Sequence, residues 1–101
     1  MITIEDIIEY SKDHPHTFMN GGRQTIIGND KIEFSIIGGS PGLYGDFKDT
    51  FEVAIFDKQT GEFRTQFFHP EAGDDVIGYM DAKDVEELVN RLLKDRDFQV
   101  R

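Results

Sequence analysis

The sequence predicts an α+β domain in two layers: a mostly antiparallel sheet of roughly four to six short strands, with an N-terminal and a C-terminal helix packed on one face. Three observations predict it. Both ends of the chain carry apolar residues at helical spacing behind a capping residue. Between them, short runs alternate apolar and polar residues and are separated by turns rich in Gly, Asn and Asp. The 101 residues contain no cysteine and leave room for one core, so residues 1–101 are read as a single domain.

The first helix starts at Thr3, which can cap it, with Asp6 at the acidic position of a capping box. Ile2 and Ile7 hold the two positions of a hydrophobic staple, and Ile4, Ile7 and Ile8 share a face. Asp13-His14-Pro15 is expected to end it, because a residue before proline is pushed out of helical dihedrals. Residues 16–19 read as a short strand turned by Asn20-Gly21-Gly22, and residues 24–27 as a second, followed by the turn Gly28-Asn29-Asp30. In residues 31–37, Ile32, Phe34 and Ile36 point one way and Glu33 and Ser35 the other, the pattern of a half-buried strand.

Residues 51–56 repeat that pattern with Phe51, Val53 and Ile55. A hairpin loop at residues 57–61 is expected to return residues 62–68 as a paired strand, with Phe63, Thr65 and Phe67 on one face. Residues 76–80 read as a further short strand. The last helix has Asp81 as its cap, Asp84 three residues on, Met80 and Val85 at the staple positions, and Val85, Leu88, Val89, Leu92 and Leu93 in one apolar stripe. Lys94 and Arg96 near its end suit the helix dipole, and Glu87 can pair with Arg91 one turn on.

Charge narrows the function classes. Twenty acids against 11 bases give a formal net charge of −9 and a pI near 4.6. Such a chain lacks the cations that neutralise phosphate, so direct nucleic-acid binding and an anionic membrane surface are both disfavoured. The first residues carry acids where a signal peptide carries bases, and no apolar run approaches the ~20 residues of a membrane span. The expected location is cytoplasmic. The lack of cysteine fits a reducing compartment and excludes disulfides, thiolate metal sites and a Cys nucleophile.

No catalytic motif is present: neither G-x-S-x-G nor H-E-x-x-H occurs, and the expectation is a non-enzyme without cofactor or metal. The glycine-rich stretch 38–46 meets neither the P-loop nor the dinucleotide pattern, and its next charged residue is Asp46, which repels phosphate. His14, His16 and His69 with Asp74 or Asp75 have no recognised metal-ligand spacing.

Two features point instead to a protein partner. Leu43, Tyr44 and Phe47, with Asp46 among them, put apolar and aromatic side chains into a polar loop, the composition of an interface anchor. Residues 71–90 hold seven acids against one base, a net −6, and of these Asp74, Asp75 and Glu86 have no capping or pairing role that the sequence reveals. The expected partner-binding residues are therefore Leu43, Tyr44, Asp46, Phe47, Asp74, Asp75 and Glu86. The expected partner is a basic protein that itself handles nucleic acid, and the chain is expected to be a monomer or homodimer. Small acidic cysteine-free α+β domains without a catalytic motif are common among inhibitors encoded by phages and mobile elements, anti-CRISPR proteins and nucleic-acid mimics among them, and among immunity proteins. The alternatives are a homodimeric assembly module, or a small ligand- or metal-binding domain using residues 38–46 and the histidines.

Overall fold

A computed structural model describes residues 1–15, 21–94 and 98–101. In chain order the elements are helix α1 (Ile4–Glu9), strands β1 (Lys12–Asp13), β2 (Arg23–Gly28), β3 (Ile32–Gly38) and β4 (Thr50–Asp57), helix α2 (Thr65–Phe68), a 3-10 turn (Pro70–Ala72), strand β5 (Ile77–Asp81), helix α3 (Ala82–Leu93) and strand β6 (Gln99–Val100). Every strand pairing is antiparallel, in the order β1-β2-β3-β4-β5, and β6 shares the outer edge of β2 with β1. The α+β class matches the expectation. The expected strand at 16–19 and the cation Arg96 lie outside the described residues.

Register explains the two layers. Residues directly opposite in an antiparallel pair share a face of the sheet. The rows Ile27–Phe34–Ile55 and Thr25–Ile36–Val53 therefore face one way, and all six residues are fully buried. The intervening rows Ile26–Ser35–Ala54 and Gln24–Ile37–Glu52 face the other. Ile4 and Ile7 from α1, and Val85, Leu88, Val89 and Leu93 from α3, complete the core on the first face. Each such side chain contributes about 1.5–3 kcal/mol of burial energy, so the core rests on these rows. Within it the Thr25 hydroxyl donates to the Ile7 carbonyl at 2.6 Å, seating the end of α1 on β2.

Both helix starts form as the sequence predicts. Thr3 Oγ1 accepts from the Asp6 amide and the Asp6 carboxylate accepts from the Thr3 amide, so the shorter acid still closes the capping box. Asp81 Oδ1 accepts from the Asp84 amide at 2.9 Å. The staple pairs Ile2/Ile7 and Met80/Val85 are all buried. The β2–β3 turn is held by Asn29 Oδ1, which accepts from the Lys31 and Ile32 amides.

Three expectations are corrected. First, α1 stops at Glu9 rather than at Asp13-His14-Pro15. Arg23 takes hold of the segment beyond it, donating to Ser11 Oγ, the Ser11 carbonyl and Asp13 Oδ1 (2.6 Å), so Lys12 and Asp13 pair with β2 as an edge strand. Secondly, residues 62–68 do not form a strand. Phe63 makes a single bridge to Phe56, its ring 4.7 Å from the Phe56 ring, and the Arg64 amide donates to the Ile55 carbonyl. The next ladder position is filled by a side chain: the buried Thr65 hydroxyl accepts from the Ile55 amide at 2.9 Å and donates to the Asp75 carbonyl at 2.6 Å. With the edge of β4 closed by this hydroxyl, the chain turns into α2. Thirdly, Arg91 does not pair with Glu87; its guanidinium donates to the Phe68 carbonyl and ties α3 to α2.

Candidate partner-binding surface

The loop between β3 and β4 is held close to the sheet. The Gly39 amide donates to the Gly45 carbonyl at 3.0 Å. A Cβ on Gly45 would lie 2.7 Å from the Cα of Phe51, so only glycine allows this approach. Asp46 Oδ1 then accepts from the amides of Lys48, Asp49 and Thr50 and from the Thr50 hydroxyl. These donors stabilise the carboxylate, the Thr50 amide most, and hold Asp46 well below its ordinary 3.8, at about 2. Asp57 is held below its ordinary value in the same way at the next turn, chiefly by the Thr60 amide, then by the Gln59 amide and the nearby Arg64.

Phe47 leaves the expected surface. Its backbone is left-handed (φ 59°), and this directs the ring inward, where it is buried and meets Phe51 edge-on at 5.3 Å. Leu43 is half-buried, its amide donating to the Ser40 carbonyl. Tyr44 stays exposed, and it is positioned at three points. Its amide donates to Glu52 Oε1 at 2.9 Å, its carbonyl accepts from the Tyr79 amide at 2.7 Å, and its ring stands 5.8 Å from the Tyr79 ring at a tilt of 48°.

Tyr79 is the residue that sequence reasoning missed. β4 and β5 pair Phe51 with Met80 and Val53 with Ile77, so β5 carries one extra residue there and bulges at Gly78-Tyr79. The bulge puts Tyr79 in the left-handed region (φ 53°). Gly78 has no side chain to block Tyr44, whose Cβ lies 3.0 Å from where a Cβ on Gly78 would be. The other two non-glycine residues with positive φ among the described residues have local reasons: Lys94 caps the end of α3, and Phe47 buries its ring. Tyr79 caps no helix, and the residue is 66% exposed. A left-handed non-glycine residue costs about 1–2 kcal/mol, and here burial does not offset it.

The expected acidic residues are divided. Glu86 is half-buried and its carboxylate accepts from the Ile4 amide, so it seats the start of α1 rather than facing a partner. Asp74 and Asp75 are exposed; Asp74 Oδ1 accepts from the Asp75 amide, and Asp75 reaches Gln66 at 3.5 Å. Beside Tyr79, a groove of about 500 Å³ runs between β5 and α3, with Asp81, Asp84 and Glu87 among its walls. The sequence marks Asp81 and Asp84 only as helix-start residues and Glu87 only as half of an ion pair, and it carries no signal that they line one groove with Tyr79.

Among the described residues no three His, Asp or Glu side chains are grouped to hold a metal ion; His14 is buried, and His16 lies outside those residues. Among them, too, no helix is long and apolar enough to cross a membrane. In comparisons with known proteins, no family model matches the chain, and no curated protein or solved structure matches it significantly.

Proposed function

We propose that this chain is a non-enzymatic protein-binding module that docks an electronegative, aromatic surface on a basic, nucleic-acid-handling partner and inhibits it. The observation that carries the reading is Tyr79: an exposed ring, held in a costly backbone conformation and set beside the exposed ring of Tyr44. Strain persists where surrounding structure imposes it, and it clusters at binding sites. Tyrosine is, with Trp and Arg, among the side chains enriched at the energetic centres of protein interfaces. The carboxylates on either side supply the sign of the partner: Asp74 and Asp75 precede β5, and Asp81, Asp84 and Glu87 follow the bulge. Such a surface attracts a positive partner and competes with phosphate for it, the mode of action expected of an anti-CRISPR protein or a nucleic-acid mimic.

The test is capture of basic proteins from a host lysate at low and at high salt, followed by a competition assay of the captured protein against its nucleic acid. Loss of the nucleic-acid complex on adding this chain, weakened by Tyr79→Ala and by the double reversal Asp74→Lys/Asp75→Lys, supports the reading. Binding that ignores salt and both variants overturns it.

A further inference from the structure

The groove beside Tyr79 has a shape that specifies more than an acidic patch would. It is lined by every residue of β5, from Ile77 to Asp81. Successive residues of a strand point to opposite faces, so a groove touching all five runs along the strand's edge. β5 is the last strand in the sheet order, with β4 on its other side. The opposite wall is one stripe of α3: Asp84, Glu87, Leu88 and Arg91, at i, i+3, i+4 and i+7. Ile77 to Asp81 spans four strand steps, at most roughly 13 Å, and Asp84 to Arg91 runs about 10 Å along α3, so the groove follows both elements. Ile77, Met80, Leu88 and Tyr79 supply the apolar part of its lining.

The charges facing it are unequal. Asp81, Asp84 and Glu87 stand against Arg91 and His69. Arg91 already donates to the Phe68 carbonyl, and the His69 imidazole lies 4.0 Å from Glu71. Asp84 and Glu87 form no ion pair among the described residues and are exposed. A lining that combines apolar residues and a tyrosine with two carboxylates in no ion pair complements a side chain with an aliphatic stem and a cationic end.

Building on the binding-module reading above, we propose that the β5–α3 groove seats an extended, arginine- or lysine-bearing segment of the protein partner. Its aliphatic stems lie on Ile77, Leu88 and the Tyr79 ring, and its cationic ends reach Asp84 and Glu87. Side chains, not strand addition, carry the recognition, because the bulge at Gly78-Tyr79 interrupts the regular ladder that an added strand would extend.

The probe is a fluorescein-labelled peptide of alternating Arg and Ala, with a Glu-for-Arg peptide as control. Its affinity is read by anisotropy and its position by amide chemical shifts. Asp84→Asn/Glu87→Gln is compared with the charge-matched pair Glu5→Gln/Glu9→Gln on α1, where both residues are exposed. The groove pair is expected to weaken the Arg peptide about tenfold, equivalent to ~1.4 kcal/mol. The α1 pair should change it less than about twofold, with shifts concentrated at Ile77–Asp81 and along α3. Equal weakening by both pairs, shifts elsewhere, or no binding overturns the groove inference. If the groove pair leaves a captured basic partner bound while Tyr44→Ala releases it, the groove inference fails and the binding-module reading stands. If the peptide docks as described but the chain does not displace nucleic acid from any basic partner, the inhibitory reading fails and the groove stands.

Discussion

Asn90 closes a two-way hydrogen bond with Ile2: its Oδ1 accepts from the Ile2 amide at 2.9 Å and its Nδ2 donates to the Ile2 carbonyl at 2.8 Å. One turn earlier the Glu86 carboxylate accepts from the Ile4 amide. The side chains of α3 thus offer the N-terminal backbone what a neighbouring strand would offer, and Ile2 and Ile4 reach the core. Asn90→Ala leaves both groups of Ile2 without these partners. It is expected to cost about 2 kcal/mol, which lowers the thermal midpoint of a domain this size by roughly 10 °C. Urea titration reads the loss directly, and a change below about 0.5 kcal/mol would place the clasp outside the folded state's energetics.

Thr65 is expected to be less tolerant than its place in a four-residue helix suggests. Thr65→Val keeps the volume but removes the hydroxyl that serves the Ile55 amide and the Asp75 carbonyl, and it should cost roughly 3 kcal/mol. Thr65→Ser keeps the hydroxyl and should lose only about 1 kcal/mol for the missing methyl. Equal losses for the two variants would mean that packing, not the hydroxyl, closes the edge of β4.

Acid should loosen the β3–β4 loop. Asp46 has a folded pKa of about 2, below the ordinary 3.8, so its carboxylate favours the folded state above the higher value and loses that advantage as pH falls toward the lower. Asp46→Asn cannot titrate. The gap in thermal midpoint between wild type and this variant should be full at pH 5 and above, and should narrow as pH falls through about 4 toward 2. A gap that stays constant across that window would contradict the role given to the three backbone amides.

Tyr79→Gly separates stability from binding. Glycine relieves a left-handed cost of about 1–2 kcal/mol, while it adds unfolded-state entropy and removes the contact with Tyr44, each worth up to roughly 1 kcal/mol. Folding stability is expected to stay within about 1 kcal/mol of wild type. Affinity for the basic partner should fall about 30-fold, equivalent to ~2 kcal/mol at an aromatic anchor. A variant that binds normally would remove Tyr79 from the interface.

Some of these features were legible in the chain and some were not. Thr3 with Asp6, and Asp81 with Asp84, are local signals: a capping side chain needs only its own next turn, and both formed where expected. The alternation of Ile32, Phe34 and Ile36 against Phe51, Val53 and Ile55 also required no knowledge of the fold. Phe63, Thr65 and Phe67 alternate just as well, yet that segment makes one bridge and turns into a helix. The difference lies in Ile55, whose amide the Thr65 hydroxyl takes, and alternation within a segment does not encode what its neighbour needs.

The candidate surface divides along the same line. Tyr44 was readable as an aromatic residue in a polar loop, and Asp74 and Asp75 as acids with no local employment. Phe47 carries the same composition signal as Tyr44, but the turn built on Asp46 sends its ring inward. Glu86 had no local role because its role lies 82 residues away, at Ile4.

The sequence by itself determined the α+β class, the two capped helices, the alternating strands and the acidic balance, because each depends on residues within a turn or a strand of one another. Only the tertiary structure decided that Tyr79 would bulge out against Tyr44, that Phe47 would be buried, and that β5 and α3 would enclose a groove. Those outcomes depend on which backbone groups meet across the sheet, and an extra residue in one strand has no meaning until its partner strand is in place.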